Sequence, residues 1–196
     1  QPLAQARLWY DAGTNALRDG AYYQASKALE RAIGLDDRFA LAHARLAEAW
    51  TELDYNDKAK DELLRVSALV PDRSALPDLD ALYLKAITDT VTREFGSAIE
   101  SYRRIAERVP DSEKAFAYVD VGRSYEKNED VKQAIGSYEE AAGRDTQYSA
   151  AFLRLGILRG RQQDLRAASE AFEKAQSLYE GLSNLEGVTE VLYQRG

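Results

Sequence analysis

The sequence of 196 residues contains no cysteine and no methionine, a single histidine (His43), 12 glycines and 4 prolines. Without cysteine there is no disulfide framework, no thiolate zinc site and no thiol nucleophile. With one histidine a multi-histidine metal site is excluded, and any Ser–His pair would have to use His43. Scarce glycine and proline argue against a sandwich of short strands and tight turns, and for long helices. No apolar run approaches the roughly 18 residues of a membrane span. Basic residues are outnumbered, 26 against 33 acidic, leaving a net charge of −7 and a pI near 4.9. That balance speaks against nucleic acid and anionic lipid as general partners, since both need a basic patch. Phosphate-loop, dinucleotide-fingerprint, HExxH and GxSxG patterns are all missing. The chain opens Gln1-Pro2, with no basic segment leading into an apolar stretch, and reads as a piece excised from a longer protein. It carries no targeting information of its own, and the expected setting is cytoplasmic.

What the sequence does have is repetition. Hydrophobic residues make up 45% and charged residues 30%, the balance of a chain able to bury a core. An alanine recurs at Ala25, Ala59, Ala98, Ala134 and Ala168, in steps of 34, 39, 36 and 34 residues. Four residues after each stands a large side chain (Leu29, Leu63, Tyr102, Tyr138, Phe172), and seven after it Ala32, Val66, Ile105, Ala141 or Ala175. Twelve before it is a small residue (Gly13, Ala47, Ala86, Gly122, Gly156), and sixteen before it a bulky one (Trp9, His43, Leu82, Tyr118, Phe152).

These offsets describe two short antiparallel helices per unit. Offsets 0, +4 and +7 line one face of a second helix. The small residues let the first helix approach it closely, and the bulky residue fills the gap between units. Gly20, Asp54, Asn128-Glu129-Asp130 and Gln163 mark the turns within pairs, and Pro71 and Pro110 follow second helices. No stretch alternates apolar and polar residues as a strand would. The 39-residue step places about five extra residues between Pro71 and Asp80, in a loop containing Pro77. Insertions of this kind fall in loops and can mark a binding edge.

The columns resemble the tetratricopeptide repeat family, whose unit is about 34 residues. The match runs through approximate repeats 6–39, 40–73, 79–112, 115–148 and 149–182, with a trailing helix over 182–195 as the first half of a sixth repeat. Tyr118, Val121, Gly122, Tyr125, Ala134, Tyr138 and Ala141 carry it best, whereas Lys85 and Asp89 depart from it. The resemblance implies an all-α, right-handed superhelical solenoid of about 11 helices. It also implies a groove lined by the first helices, with Tyr10, Asp11, Arg45, Tyr83, Leu84, Ile87, Val119, Arg123, Lys127, Arg154 and Ile157 as candidate partner-binding residues. Tyr83, Leu84 and Ile87, extended by Val119 and Ile157, form an expected apolar patch. Arg123, Lys127 and Arg154 belong to a cationic sector toward the C-terminal end. The competing reading packs Leu84 and Ile87 between repeats and pairs the arginines with Asp120 and Glu126. A clamp for chaperone C-terminal carboxylates needs asparagines, and Tyr10, Thr14 and Arg45 stand at those positions instead.

The implied function is a non-catalytic scaffold for a peptide or protein partner, with no cofactor, metal, nucleic acid or membrane insertion. His43 lies in a packing column and is expected to be a buried structural residue. Asp36-Asp37 and Asp78…Asp80 read as solvated loop acids. The alternative is a regulatory or self-associating segment of a larger signalling protein. FALAHARLAEAW (39–50) and LSNLEGVTEVLYQRG (182–196) weakly resemble repeat regions attached to bacterial kinases or transcription regulators. On this reading the trailing helix, bare on one side, offers a homo-oligomer contact.

Overall fold

The computed structural model describes residues 2–196, which are all-helical. In chain order the helices are α1 (Ala4–Asp19), α2 (Tyr22–Leu35), α3 (Ala40–Glu52), α4 (Asn56–Leu69), α5 (Asp78–Val91), α6 (Phe95–Arg108), α7 (Asp111–Lys127), α8 (Val131–Arg144), α9 (Ser149–Arg161), α10 (Leu165–Gly181) and α11 (Leu185–Arg195). A single 3-10 turn, Arg73–Ala75, interrupts the connection between α4 and α5. The turns that join α1 to α2, α3 to α4, α5 to α6, α7 to α8 and α9 to α10 each place one residue in the left-handed region. These residues are Gly20 (φ 81°), Asp54 (61°), Arg93 (66°), Glu129 (61°) and Gln163 (64°). Asp130 and Asp164 then cap α8 and α10 by accepting from the backbone N–H groups of Gln133 and Ala167, satisfying donors left open at a helix start.

Two compact units divide the chain, one running to Ile105 and the other from Ala106 to Gly196. In the first, α1 packs on α2 and α3 on α4, while α3 also touches α2 and α5. In the second, α7 packs on α8 and α9 on α10, α8 meets α9, and α11 closes onto α10. The repeating columns form both cores. All five alanines of the alignment column are buried, as are Leu29, Tyr102, Tyr138 and Phe172, and all the residues seven positions on. The close approach that a small side chain permits is clearest at Gly122, where an added Cβ would stand 2.5 Å from the Tyr138 ring.

Three local expectations change. Asp78 and Asp80 lie in the first turn of α5 rather than in a loop, because the helix starts directly after Pro77 and acids favour a helix N-terminus. Trp9 is partly exposed and stacks its ring against the Arg31 guanidinium at 4.5 Å. In α11 the buried edge is Val191 with Val188 beside it, while Leu185 and Leu192 face outward. The α10–α11 turn has a left-handed Ser183 (φ 53°), the geometry otherwise found inside hairpins, so α11 folds back on α10.

Candidate functional site

The candidate residues of the first unit fall into two classes. Tyr10 is buried against Phe39, ring centroids 4.8 Å apart, and Asp11 is exposed and paired with Arg7 at 3.1 Å. Leu84 and Ile87 have no accessible surface, and Tyr83 is half-buried. Arg45 is likewise fully enclosed, with its guanidinium donating from Nη1 to Glu48 Oε2 at 2.8 Å and to the Tyr102 hydroxyl at 3.2 Å. The reason is local: Arg45 and Glu48 stand three apart in the alanine-rich α3, whose small side chains let neighbouring helices close over them. A buried charge persists only when paired and hydrogen-bonded, and here both conditions hold.

The second unit repeats the theme with more members. Val119 and Ile157 are core residues. Arg123 is buried 3.7 Å from Asp120, itself enclosed. Arg154 approaches Glu126 Oε2 at 3.9 Å, both side chains 14% accessible. The Tyr138 hydroxyl donates to the same Glu126 oxygen. Burial holds the Tyr138 hydroxyl's pKa well above its ordinary value, and the Glu126 carboxylate pushes it the same way. Lys127, last in α7, is half-buried. Of the cationic sector, then, Arg154 and Lys127 keep partial access while Arg123 is committed to Asp120.

The partners Tyr102 and Tyr138 fall outside the candidate set, whereas Glu48 stands at a groove position of the second repeat. Their signal was faint: Tyr102 and Tyr138 stand in a column otherwise filled by Leu and Phe, so their hydroxyls need a polar group near the core. His43 is buried as expected, with Nδ1 2.5 Å from Glu62 Oε2 and Nε2 2.9 Å from the Asp37 carbonyl. Burial alone would lower its pKa, but the bonds to Glu62 and Asp37 outweigh that and raise it. Among the described residues no group of three or more His, Cys, Asp or Glu is placed to hold a metal ion. None of the described helices is long and apolar enough to cross a membrane.

No protein-family model and no curated protein matches the sequence. Solved structures match in fold. The TPR2AB domain of yeast Sti1, in complex with pHSP90, aligns with a TM-score of 0.55 at 14% identity, over 98% of this chain and 84% of that one. PilW, a widely conserved type IV pilus biogenesis factor, gives 0.52 at 17% identity, over 98% and 92%. YrrB, described as a TPR protein with an unusual peptide-binding site, gives 0.51 at 14%, over 94% and 89%. At such identities the likeness is one of fold, and the fold of this chain is the tetratricopeptide repeat.

Proposed function

We propose that the chain is a non-catalytic scaffold that holds a peptide or protein partner on its first helices, without cofactor or metal. The five-repeat layout over 6–182 belongs to this proposal. One observation carries it: beside the enclosed Asp120–Arg123 pair, Arg154 and Lys127 of the first helices α9 and α7 keep partial access and are backed by packed neighbours. Such groups are set in place by packing before a partner arrives, which lowers the ordering cost of binding. A partner carboxylate would compete with Glu126 for Arg154 through charge-assisted bonds, with the half-buried Lys127 next to Glu126 in sequence. Peptide binding by YrrB and the Sti1 complex with pHSP90 support this class of partner. The missing asparagines keep a chaperone-tail clamp out of the proposal.

The test is panning of a displayed random-peptide library against the chain, followed by Lys127→Glu with Arg154→Glu. Acidic peptides should be captured by the parent and lost by the variant, with an unchanged helical spectrum and melt. Retained capture would move the site off α7 and α9. A second reading, self-association within a larger signalling protein, is favoured by the apolar residues that α11 exposes: Leu185 and Tyr193 at 79% and Leu192 at 54%. Sedimentation across a concentration series checks it, and Leu185→Glu with Tyr193→Glu should abolish any dimer.

A further inference from the structure

A hollow of about 780 Å³ opens in the first unit, where the α4–α5 connection, residues 70–77, runs beside the N-terminal end of α3. Its size falls within the roughly 300–1,000 Å³ of ligand sites. Phe39, buried but for a small exposed area, lines it together with the partly exposed Leu35 and with Leu76 and Pro77 from the connection. The connection is a built wall. Asp72 accepts from the Ser74 backbone N–H at 2.9 Å and from its hydroxyl at 2.7 Å, and Arg73 Nη2 donates to Thr88 Oγ1 at 3.4 Å.

The polar lining is one-sided in charge. Asp36, Asp37 and Asp80 are set against one base, Arg38, so the lining is net negative by two charges. Asp36 accepts from the backbone N–H groups of Leu3 and Arg38, at 3.1 and 3.2 Å, which fixes its carboxylate in place with its charge intact, and Asp37 and Asp80 add theirs. The chain as a whole is also negative, at −7, and would steer cations toward it.

We propose that this hollow takes a peptide segment in which a bulky apolar side chain stands next to lysine or arginine. Burial of the apolar side chain against Phe39, Leu35 and Leu76 supplies the drive. Asp37 and Asp80 select the flanking cation and reject an acidic neighbour. The preference is opposite in sign to that of Arg154 and Lys127, so either site can fail without the other.

The test is fluorescence anisotropy on the full chain with three labelled peptides: Lys-Phe-Lys-Leu-Lys, Glu-Phe-Glu-Leu-Glu and Lys-Ser-Lys-Ser-Lys. The first should bind about tenfold tighter than either control, with the advantage shrinking as salt rises. Asp37→Lys with Asp80→Lys should remove that advantage and improve binding of the acidic peptide. Leu76→Ser should weaken the first peptide while leaving the helical spectrum intact. Because Asp80 lies in the first turn of α5, Asp37→Lys alone serves as a second variant, expected to cost several-fold. Equal binding of the first and third peptides would overturn the proposal, as would unchanged binding in both charge variants. A dimer in sedimentation that Leu76→Ser dissociates would also overturn it, by assigning the hollow to a second copy of the chain.

Discussion

Tyr102 in the first unit and Tyr138 in the second occupy the same column of the repeat, four residues beyond the recurring alanine, and both are buried. Their rings do the same packing. Their hydroxyls do opposite things: Tyr102 accepts from Arg45, a residue of α3, whereas Tyr138 donates to Glu126 at the end of its own hairpin's first helix. The small residue twelve positions before the alanine differs as well, Ala86 in one case and Gly122 in the other. The repeat thus prescribes a large ring over a small residue, and a hydroxyl at the ring's end can serve a cation or an anion. Charge pairing is local to each unit and is laid over a common packing rule.

The comparison breaks hardest at Arg45. Arg45→Met strands Glu48 as a buried charge without its guanidinium, and loss of one partner of a buried pair costs about 3–5 kcal/mol. Chemical denaturation measures this, and Glu48→Leu added to Arg45→Met should recover most of the loss, since two apolar residues leave no charge uncompensated. If the single variant melts with the parent, the pair is not holding α3 in place.

Gly122→Ala and Ala86→Gly interchange the two small residues and give the next largest effects. At Gly122 a Cβ would stand 2.5 Å from Cε1 of Tyr138, so the ring must shift and draw its hydroxyl from Glu126. Overpacking outweighs the gain in helix propensity, for a net loss of about 1–2 kcal/mol. Ala86→Gly loses about 1 kcal/mol through propensity alone. Equal losses at the two positions would show that the ring over Gly122 has room to move.

Both turns and packing columns were legible in the sequence, for a physical reason. Small residues and turn residues act through volume and backbone geometry, which depend little on context. Gly20 and Asp54 are readable as turn residues for that reason, and Glu129 and Gln163 from their place in the repeat. Arg93 and Ser183, also left-handed, are not, because arginine and serine have no preference for that region and are held there by the helices on either side. The charged cluster was illegible in a different way. Arg45, Glu48, Asp120 and Arg123 carry side chains that ordinarily face water, and only the closeness that alanine and glycine permit encloses them. Repeat position alone places Leu84, Ile87 and Val119 on an accessible patch; their burial depends on neighbouring helices that a single repeat does not specify. In α11 two apolar stripes compete, and Gly187, where a Cβ would run into the Tyr179 ring, decides for the one containing Val188 and Val191.

Removing the hydroxyls tests the comparison directly. Tyr138→Phe and Tyr102→Phe each delete one hydrogen bond to a charged group, for a loss of about 1.5 kcal/mol, the low end for such bonds because each charged group keeps a second partner. Tyr102→Phe should cost less, because Arg45 keeps Glu48 at 2.8 Å. Amide exchange should place the two losses in different units, with protection falling around α3 in one variant and around α7 and α8 in the other. Loss spread evenly over both units would mean that the networks are coupled rather than local.

The smallest effect is confined to the first unit, which holds the sole histidine. The folded-state pKa of His43 is raised: burial opposes charging, but the Glu62 carboxylate and the Asp37 carbonyl more than compensate, with Arg65 a minor opposing charge. A group whose pKa is higher folded than unfolded binds a proton more readily in the native state. Its contribution is therefore complete below the unfolded value near 6.5 and declines as pH rises through the raised folded value. Denaturation from mildly acidic to mildly alkaline pH should show stability falling with rising pH in this window, and His43→Gln should flatten the slope. Exchange-resolved stability of α8 to α10 should not follow it, because that unit has no group titrating there by its ordinary pKa. A slope that survives His43→Gln would assign the titration to another group and remove His43 from the account of how α3 is held against α4.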